Sequence, residues 1–102
     1  MSRKEKNIPK SFKSRVFITV LGRDRKGIVA RISTLLYECG INIEDISQKI
    51  MGEYFVMIML VGMDEATCDM GALNEKLEAV AEELNLTVRA QHEDVFKTMH
   101  RM

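Results

Sequence analysis

The stretch from Tyr54 to Val61, YFVMIMLV, constrains the fold of this chain more than any other part of its sequence. Side chains along a β-strand alternate between two faces, and here both alternate sets are apolar. Such a strand must be covered on both of its faces. The two sets are Phe55, Met57 and Met59 on one side, and Tyr54, Val56, Ile58 and Leu60 on the other.

Only one of these two sets can pack beneath helices, so the other set forms a larger apolar patch than a monomer normally exposes to water. Pairing with a second copy of the chain about a two-fold axis is the simplest way to cover that patch. Either set could be the outward one, and the alternative for the methionines is that their flexible side chains fill gaps in the core. The sequence therefore predicts a homodimer or a higher oligomer.

The remaining elements follow from periodicity and from the glycines between them. Gly27 opens a run of apolar residues at helical spacing, and Gly40 supplies the left-handed position that ends it. The apolar phase changes between Ile43 and Ile46, which indicates a bulge in the second strand. In chain order the predicted elements are strand Arg15–Leu21, a helix from Gly27, strand Ile41–Met51, a hairpin turn at Gly52-Glu53, strand Tyr54–Val61, helix Ala66–Leu84 and strand Leu86–His92.

The order βαββαβ predicts an α+β fold, a ferredoxin-like sandwich of one antiparallel sheet with two helices on one face. Right-handed crossovers place the first and third strands in the centre of the sheet. This domain covers residues 15–92. Residues 1–14 carry five basic side chains against one glutamate and are interpreted as a flexible basic tail. Residues 93–102 are predicted to form a short C-terminal amphipathic helix, whose apolar side holds Val95, Phe96, Met99 and Met102.

Length and composition exclude several classes of protein. A chain of 102 residues forms one domain with little room for a deep catalytic cavity. Its formal net charge of zero gives no general attraction to nucleic acid or to anionic membranes, and no apolar run is long enough to cross a bilayer. Cys39 and Cys68 match no metal, redox or secreted disulfide pattern, so a cytoplasmic protein without a cofactor or metal is predicted.

The loop between the first strand and the first helix is one candidate binding site. The first turn of a helix exposes backbone N–H groups and a partial positive charge, so Gly27, Ile28 and Val29 can bind a carboxylate. Asp24 is interpreted as the cap of this helix, because its carboxylate can accept hydrogen bonds from the same N–H groups. The alternative is that Gly22 and Gly27 are turn residues only.

A second candidate site lies at the start of the second strand. Asn42 and Asp45 follow the Gly40 turn, and an amide near a carboxylate suits the ammonium group of an amino acid. Together with the helix N–H groups, these side chains would recognise both charged ends of an amino acid. The alternative is ordinary polarity on an edge strand.

Three segments together resemble the ACT domain, a family of small-ligand regulatory modules: GRDRKGIVARIS, ECGINIEDIS and EYFVMIMLV. In that family a D-x-x-G loop followed by a hydrophobic residue opens the first helix, and a G-x-N-I segment opens the second strand. The resemblance covers about residues 15–92. Within the family the chain is similar to small single-domain members and to one half of the glycine cleavage system repressor.

The resemblance implies a homodimer that binds an amino acid at the dimer interface and catalyses no reaction. The contact segments of the family fall on Asp24, Lys26, Gly27, Ile28, Asn42 and Ile43. Lys26 stands where many members of the family have proline. Because no enzyme domain is attached, the module is expected to control a separate partner protein in metabolism or transcription.

An RNA-binding module is the main alternative, because RNA-recognition domains share the βαββαβ order and stack bases on aromatic residues of the two central strands. Phe17 and Tyr54 or Phe55 lie on those strands. The third strand lacks the basic, glycine-containing aromatic pattern of such domains, which disfavours nucleic acid as a partner. An enzyme of this topology is also disfavoured, because His92 and His100 lie on different elements and form no nucleophile–base pair.

Overall fold

A computed structural model describes residues 14–95 of the chain. The predicted basic tail, apart from Ser14, lies outside the described residues, as does the predicted C-terminal helix beyond Val95. Residues 93–95 are helical. The described elements are β1 (Arg15–Arg23), α1 (Ile28–Glu38), β2 (Asn42–Met51), β3 (Tyr54–Gly62), α2 (Met70–Leu84) and β4 (Leu86–His92). The predicted βαββαβ order is confirmed.

The four strands form one antiparallel sheet in the order β2-β3-β1-β4. The prediction that the first and third strands lie in the centre is therefore confirmed. The register of β2 against β3 shifts between Ile43 and Asp45, so the predicted bulge is present and Glu44 is its extra residue. Gly52 has a φ of 65° in the two-residue turn between β2 and β3, as a tight hairpin requires.

The core lies between the sheet and the two helices. One alternate set of each central strand points into it: Val16, Ile18 and Val20 from β1, and Phe55, Met57, Met59 and Val61 from β3. The opposite face of the sheet, here called the open face, carries Phe17, Thr19 and Leu21 of β1 and Tyr54, Val56, Ile58 and Leu60 of β3. No described helix in residues 14–95 is both long and apolar enough to cross a membrane.

The cap of the first helix and the start of the second helix differ from the sequence prediction. Gly27, and not Asp24, is the N-cap of α1, and no side chain of the described residues caps this helix. The reason is that Asp24 remains bound to the hairpin turn, where its backbone N donates to Glu53 O at 2.8 Å. Helix α2 begins at Met70, four residues later than predicted, because the Asp69 side chain accepts from Ala72 N and fixes the first turn there.

Candidate functional site

The amino end of α1 is open to solvent. Gly27 has a φ of 90°, and a Cβ placed on it would meet nothing within 4 Å. The first turn of α1 contains no acidic residue, and its first intrahelical bond runs from Arg31 N to Gly27 O at 2.8 Å. The backbone N–H groups of Ile28 and Val29 precede that bond, so they have no acceptor within the helix. The helix dipole favours an anion at this position.

The side chains around this helix end are polar and exposed. Asp24 and Lys26 both lie on the surface of the loop, whereas Ile28 is buried and Val29 is half-buried against the core. The loop is attached to the β2–β3 turn by the Asp24 backbone bond and by an ion pair between Arg23 and Glu53 at 2.7 Å. These contacts hold the loop in place and leave the helix end accessible.

The amino end of β2 borders a shallow polar cavity of about 250 Å³. Three carboxylates line it together with the Asn42 amide. Glu44 is ion-paired with Arg15 at 3.3 Å, and Asp64 accepts a hydrogen bond from Ser14 N at 3.0 Å. The lining still carries more carboxylates than cations, which suits an ammonium group. Two glycines keep it open: a Cβ on Gly62 would lie 2.7 Å from Glu44 Oε2, and one on Gly40 would lie 2.9 Å from Glu65 O. The lining residues are Gly40, Asn42, Glu44, Gly62, Asp64 and Glu65.

The bulge in β2 separates the other two predicted site residues from this cavity. Ile43 is half-buried and packs against the core, while Asp45 Oδ1 accepts a hydrogen bond from Ile46 N at 2.8 Å. Asp45 borders a different depression, on the open face beside Phe17 and Ile58. Of the two residues predicted to bind an amine, only Asn42 therefore lines the cavity.

Within one protomer the two predicted half-sites lie at opposite ends of the sheet. Arg15 and Asn42 both pair with Gly62, at the cavity end, whereas Arg23 pairs with Tyr54 and leads into the Gly27 loop. The eight steps of β1 between these ends span roughly 26 Å. A single chain therefore does not bring the α1 amino end and Asn42 to the same small ligand.

Sequence reasoning missed three residues of the cavity: Glu44, Asp64 and Glu65. Glu44 lies about 20 residues before the adjacent pair Asp64 and Glu65, and the three come together only because β2 pairs with β3. The one local sequence pattern that could have indicated this cavity is the Gly62-Met-Asp-Glu65 segment, in which a glycine and two carboxylates come at the end of a buried strand.

Among residues 14–95, strand β2 is an edge of the sheet that neither helix fully covers. Ile46 and Ile50 pair with Met59 and Phe55, so they point to the helix side of the sheet. Their partners are buried, yet Ile46 is 41% and Ile50 is 50% exposed. Edge strands with apolar side chains of this kind are surfaces for pairing with another strand.

The two cysteines approach each other beside the cavity end. Thr67 N donates to Cys39 O at 2.8 Å, which brings Cys68 close to the end of α1. Partial burial and a hydrogen bond with the Cys39 thiol raise the pKa of Cys68. A raised pKa lowers the thiolate fraction, so the Cys68 thiol is a poor nucleophile at neutral pH. Within residues 14–95 no three His, Cys, Asp or Glu side chains, those of the cavity included, are arranged so that they could hold a metal ion.

The fold defines a small ferredoxin-like module with polar groups exposed at a loop and at a strand edge. The ACT domain family matches residues 14–91, and the chain belongs to this family. ACT domains are regulatory modules that bind amino acids. The resemblance stated from the sequence is confirmed.

Known relatives cover nearly all of the described domain. A UPF0237 protein of Methanopyrus kandleri is 49% identical over 89 residues, which is 87% of this chain and 99% of the relative. The solved structure of an ACT domain protein from Streptococcus pneumoniae is 39% identical, with a TM-score of 0.72 over 82% of this chain and 94% of that chain.

A structure assigned as a glycine cleavage system transcriptional repressor shares the fold, with a TM-score of 0.70 at 22% identity. It matches 79% of this chain, which spans about half, 46%, of that larger protein.

Proposed function

We propose that this chain is a homodimeric amino-acid sensor that controls a partner protein in metabolism or transcription and catalyses no reaction itself. The observation that carries the proposal is the accessible amino end of α1, where Gly27 precedes backbone N–H groups that no described side chain caps. A carboxylate bound there would satisfy these N–H groups and complement the helix dipole.

The ammonium end of the ligand requires a second group, and Asn42 in its acidic cavity supplies the appropriate chemistry. Because Asn42 and Gly27 lie at opposite ends of one sheet, the ligand cannot bridge them within a protomer. A two-fold axis perpendicular to the sheet would pair two β2 strands antiparallel. Antiparallel pairing places the amino end of the partner's β2 at the end of the sheet where α1 begins, so each ligand would be held by both protomers.

The β2 edge favours this pairing on independent grounds. On its outer side β2 pairs with no other described strand, and Ile46 and Ile50 are apolar but largely uncovered. In the proposed dimer the two sheets become one continuous sheet with all four helices on the same side. The exposed isoleucines would then be buried between the protomers.

Binding of an amino acid across such an interface gives the module a way to signal. A ligand held by both protomers stabilises the dimer relative to the monomer, so its concentration changes the surface offered to a regulated partner. The Cys68 thiol, whose pKa is raised, is no nucleophile for catalysis at this place. A regulatory role in the cytoplasm therefore fits the chemistry of the described residues better than an enzymatic role.

The experiment is a thermal-shift screen of the full chain against all the common amino acids, with Gly27→Ala and Gly52→Ala as a matched pair. Both glycines have a positive φ and open space around the Cβ position, so both substitutions strain the backbone similarly. At saturation, one amino acid should raise the melting temperature of the wild-type chain and of Gly52→Ala. Gly27→Ala should lose that response, because its methyl group occupies the approach to the helix end.

Two results would refute the proposal. One is the absence of any stabilisation across the complete panel, and the other is an unchanged ligand response in Gly27→Ala. RNA binding is the remaining alternative, since Tyr54 is exposed on the open face while Phe55 is buried in the core. Binding of single-stranded RNA that weakens steeply with salt and survives removal of residues 1–14 would replace the amino-acid proposal.

A further inference from the structure

The fold brings the two cysteines of the chain into contact, although they belong to different segments. Cys39 is the C-cap of α1, and Cys68 lies in the segment between β3 and α2. Thr67 attaches this segment to the end of α1, because its backbone N and its Oγ1 donate to Cys39 O at 2.8 and 3.3 Å. The two thiols share a hydrogen bond. They are therefore placed side by side, as the formation of a disulfide requires.

The backbone around this pair is held at close range. Gly40 follows Cys39 with a φ of 69°, and a Cβ there would lie 2.9 Å from Glu65 O and 3.7 Å from Thr67 Cγ2. Glycine at position 40 thus lets the segment before α2 lie directly on the end of α1. Because that segment is already in place, the two sulfur atoms need only a small further approach of their side chains to bond.

The two thiols differ in their accessibility. Cys39 is 4% exposed within the core, whereas Cys68 is half-buried at the edge of the same core. A small disulfide in solution therefore reaches Cys68 first. Partial burial and the hydrogen bond with Cys39 raise the pKa of Cys68, so its exchange with such a disulfide is slow at neutral pH. Slow exchange suits a pair that follows a lasting change in the redox state of its surroundings.

We propose that Cys39 and Cys68 form a reversible redox couple, in which a low-molecular-weight disulfide such as oxidised glutathione converts the two thiols to an intrachain disulfide. The Cys68 thiolate first attacks one sulfur of oxidised glutathione, which gives a mixed disulfide and releases one glutathione thiolate. The Cys39 thiolate then attacks Sγ of Cys68 and releases the second glutathione thiolate. The protein loses two electrons and two protons, and the oxidised glutathione that takes them up becomes two molecules of reduced glutathione.

The disulfide would restrain the acidic cavity. Both of its cysteines are near cavity residues in the chain, since Gly40 follows Cys39 directly and Glu65 shortly precedes Cys68. A covalent bond here fixes the segment that leads into α2 against the end of α1, and it limits how far the cavity can open. Formation of the bond requires no amino acid, so the redox couple can be tested independently of the proposed ligand.

The test equilibrates the reduced full-length chain in glutathione buffers of increasing oxidised fraction, followed by acid quenching, alkylation of free thiols and mass spectrometry. As the oxidised fraction rises, the wild-type chain should lose two hydrogens and become resistant to alkylation. Excess reduced glutathione should reverse both changes. Peptide mapping should place the bond between Cys39 and Cys68 of the same chain. Two free thiols in the most oxidising buffer, or a bond found only between chains, would overturn the proposal.

Cys39→Ala and Cys68→Ala are matched controls that separate the two steps. Cys39→Ala should stop at the mixed disulfide and carry one glutathione on Cys68. Cys68→Ala should stay unmodified while it is folded, because the Cys39 thiol is buried. Serine replaces alanine in any variant that circular dichroism shows to be unfolded. Glutathione on Cys68→Ala and none on Cys39→Ala would contradict the proposed order of attack.

Hydrogen exchange of the Thr67 amide measures the restraint directly. This amide donates to Cys39 O, so it exchanges when the segment before α2 separates from α1. Oxidation of the wild-type chain should slow its exchange several-fold. The Asp24 amide, bonded to Glu53 O at the other end of the sheet, should keep its rate. Equal Thr67 rates in the oxidised and reduced chains would show that the bond restrains nothing at the cavity, against the proposal.

Discussion

Three glycines with positive φ differ in what surrounds them, and this difference can be measured. Gly52 has open space at its Cβ position, whereas a Cβ on Gly40, with φ of 69°, would lie 2.9 Å from Glu65 O. Left-handed backbone costs a non-glycine residue about 1–2 kcal/mol. We expect Gly52→Ala to lose about that much stability in urea denaturation, and Gly40→Ala to lose at least about 1 kcal/mol more. Equal losses would show that the contact with Glu65 relaxes without cost.

At the residue level the sequence predicts conformation better than it predicts contacts. Gly40 ends α1 as expected, because the end of an apolar helical run followed by glycine is a local signal. Asp24 fails as a helix cap because its loop is bound to Glu53, 29 residues away, which no local pattern indicates. Whether Lys26 and Ile43 contact a ligand stays a prediction, since it depends on a bound molecule.

At the scale of elements, a bidentate ion pair joins the two helices, and it predicts that the stability of the fold depends on pH. Arg31 Nη2 and Nε donate to the two carboxylate oxygens of Glu83 at 2.7 and 3.1 Å. The Glu83 hydrogen bond raises the pKa of Arg31, and the same bond lowers the pKa of Glu83. Because the folded pKa of Glu83 lies below its unfolded value, its stabilisation is complete above about pH 4.3 and is lost as the pH falls through the folded pKa.

Glu83→Gln should therefore be slightly less stable than the wild-type chain at pH 7 and equally stable at about pH 2.5, by urea denaturation at both values. The difference at pH 7 is expected to be small, since both side chains are nearly half exposed, and to shrink further in high salt. Glu82→Gln, one residue earlier and also exposed, is the control and should show no such pH-dependent difference. If the wild-type chain and Glu83→Gln differed in stability by the same amount at both pH values, packing and not charge would account for the contribution of Glu83.

The order of the elements could be predicted because the apolar residues of each helix and strand recur with the period of that structure. The bulge in β2 was visible as a change of apolar phase, and β4 begins and ends where predicted, at Leu86 and His92. The start of α2 could not be predicted in this way. Ala66 continues the apolar pattern of the helix, but Thr67 N donates to Cys39 O and is therefore held outside the helix. A contact between distant segments therefore shortened a helix that local periodicity extends.

For the whole molecule, the separation of the two half-sites is the feature that the sequence could not reveal. Spacing along the chain shows that Gly27 and Asn42 flank α1, but a helix of 11 residues necessarily places them at opposite ends of the sheet. In the proposed dimer a second copy brings them into one binding site, so the proposal couples ligand binding to dimer formation. Any change that separates the protomers should also abolish the response to the ligand.

Ile50→Lys tests this coupling at the β2 edge. Ile50 is 50% exposed in the single chain, so a lysine there should leave the protomer folded, but it would place like charges at the two-fold interface. We expect light scattering to give a dimer mass for the wild-type chain and a monomer mass for Ile50→Lys, which should also lose its thermal shift with the amino acid. Thr87→Lys adds the same charge to β4, the opposite edge, and should remain a ligand-responsive dimer. A monomeric Ile50→Lys that still responds would confine the binding site to one chain and would contradict the shared site.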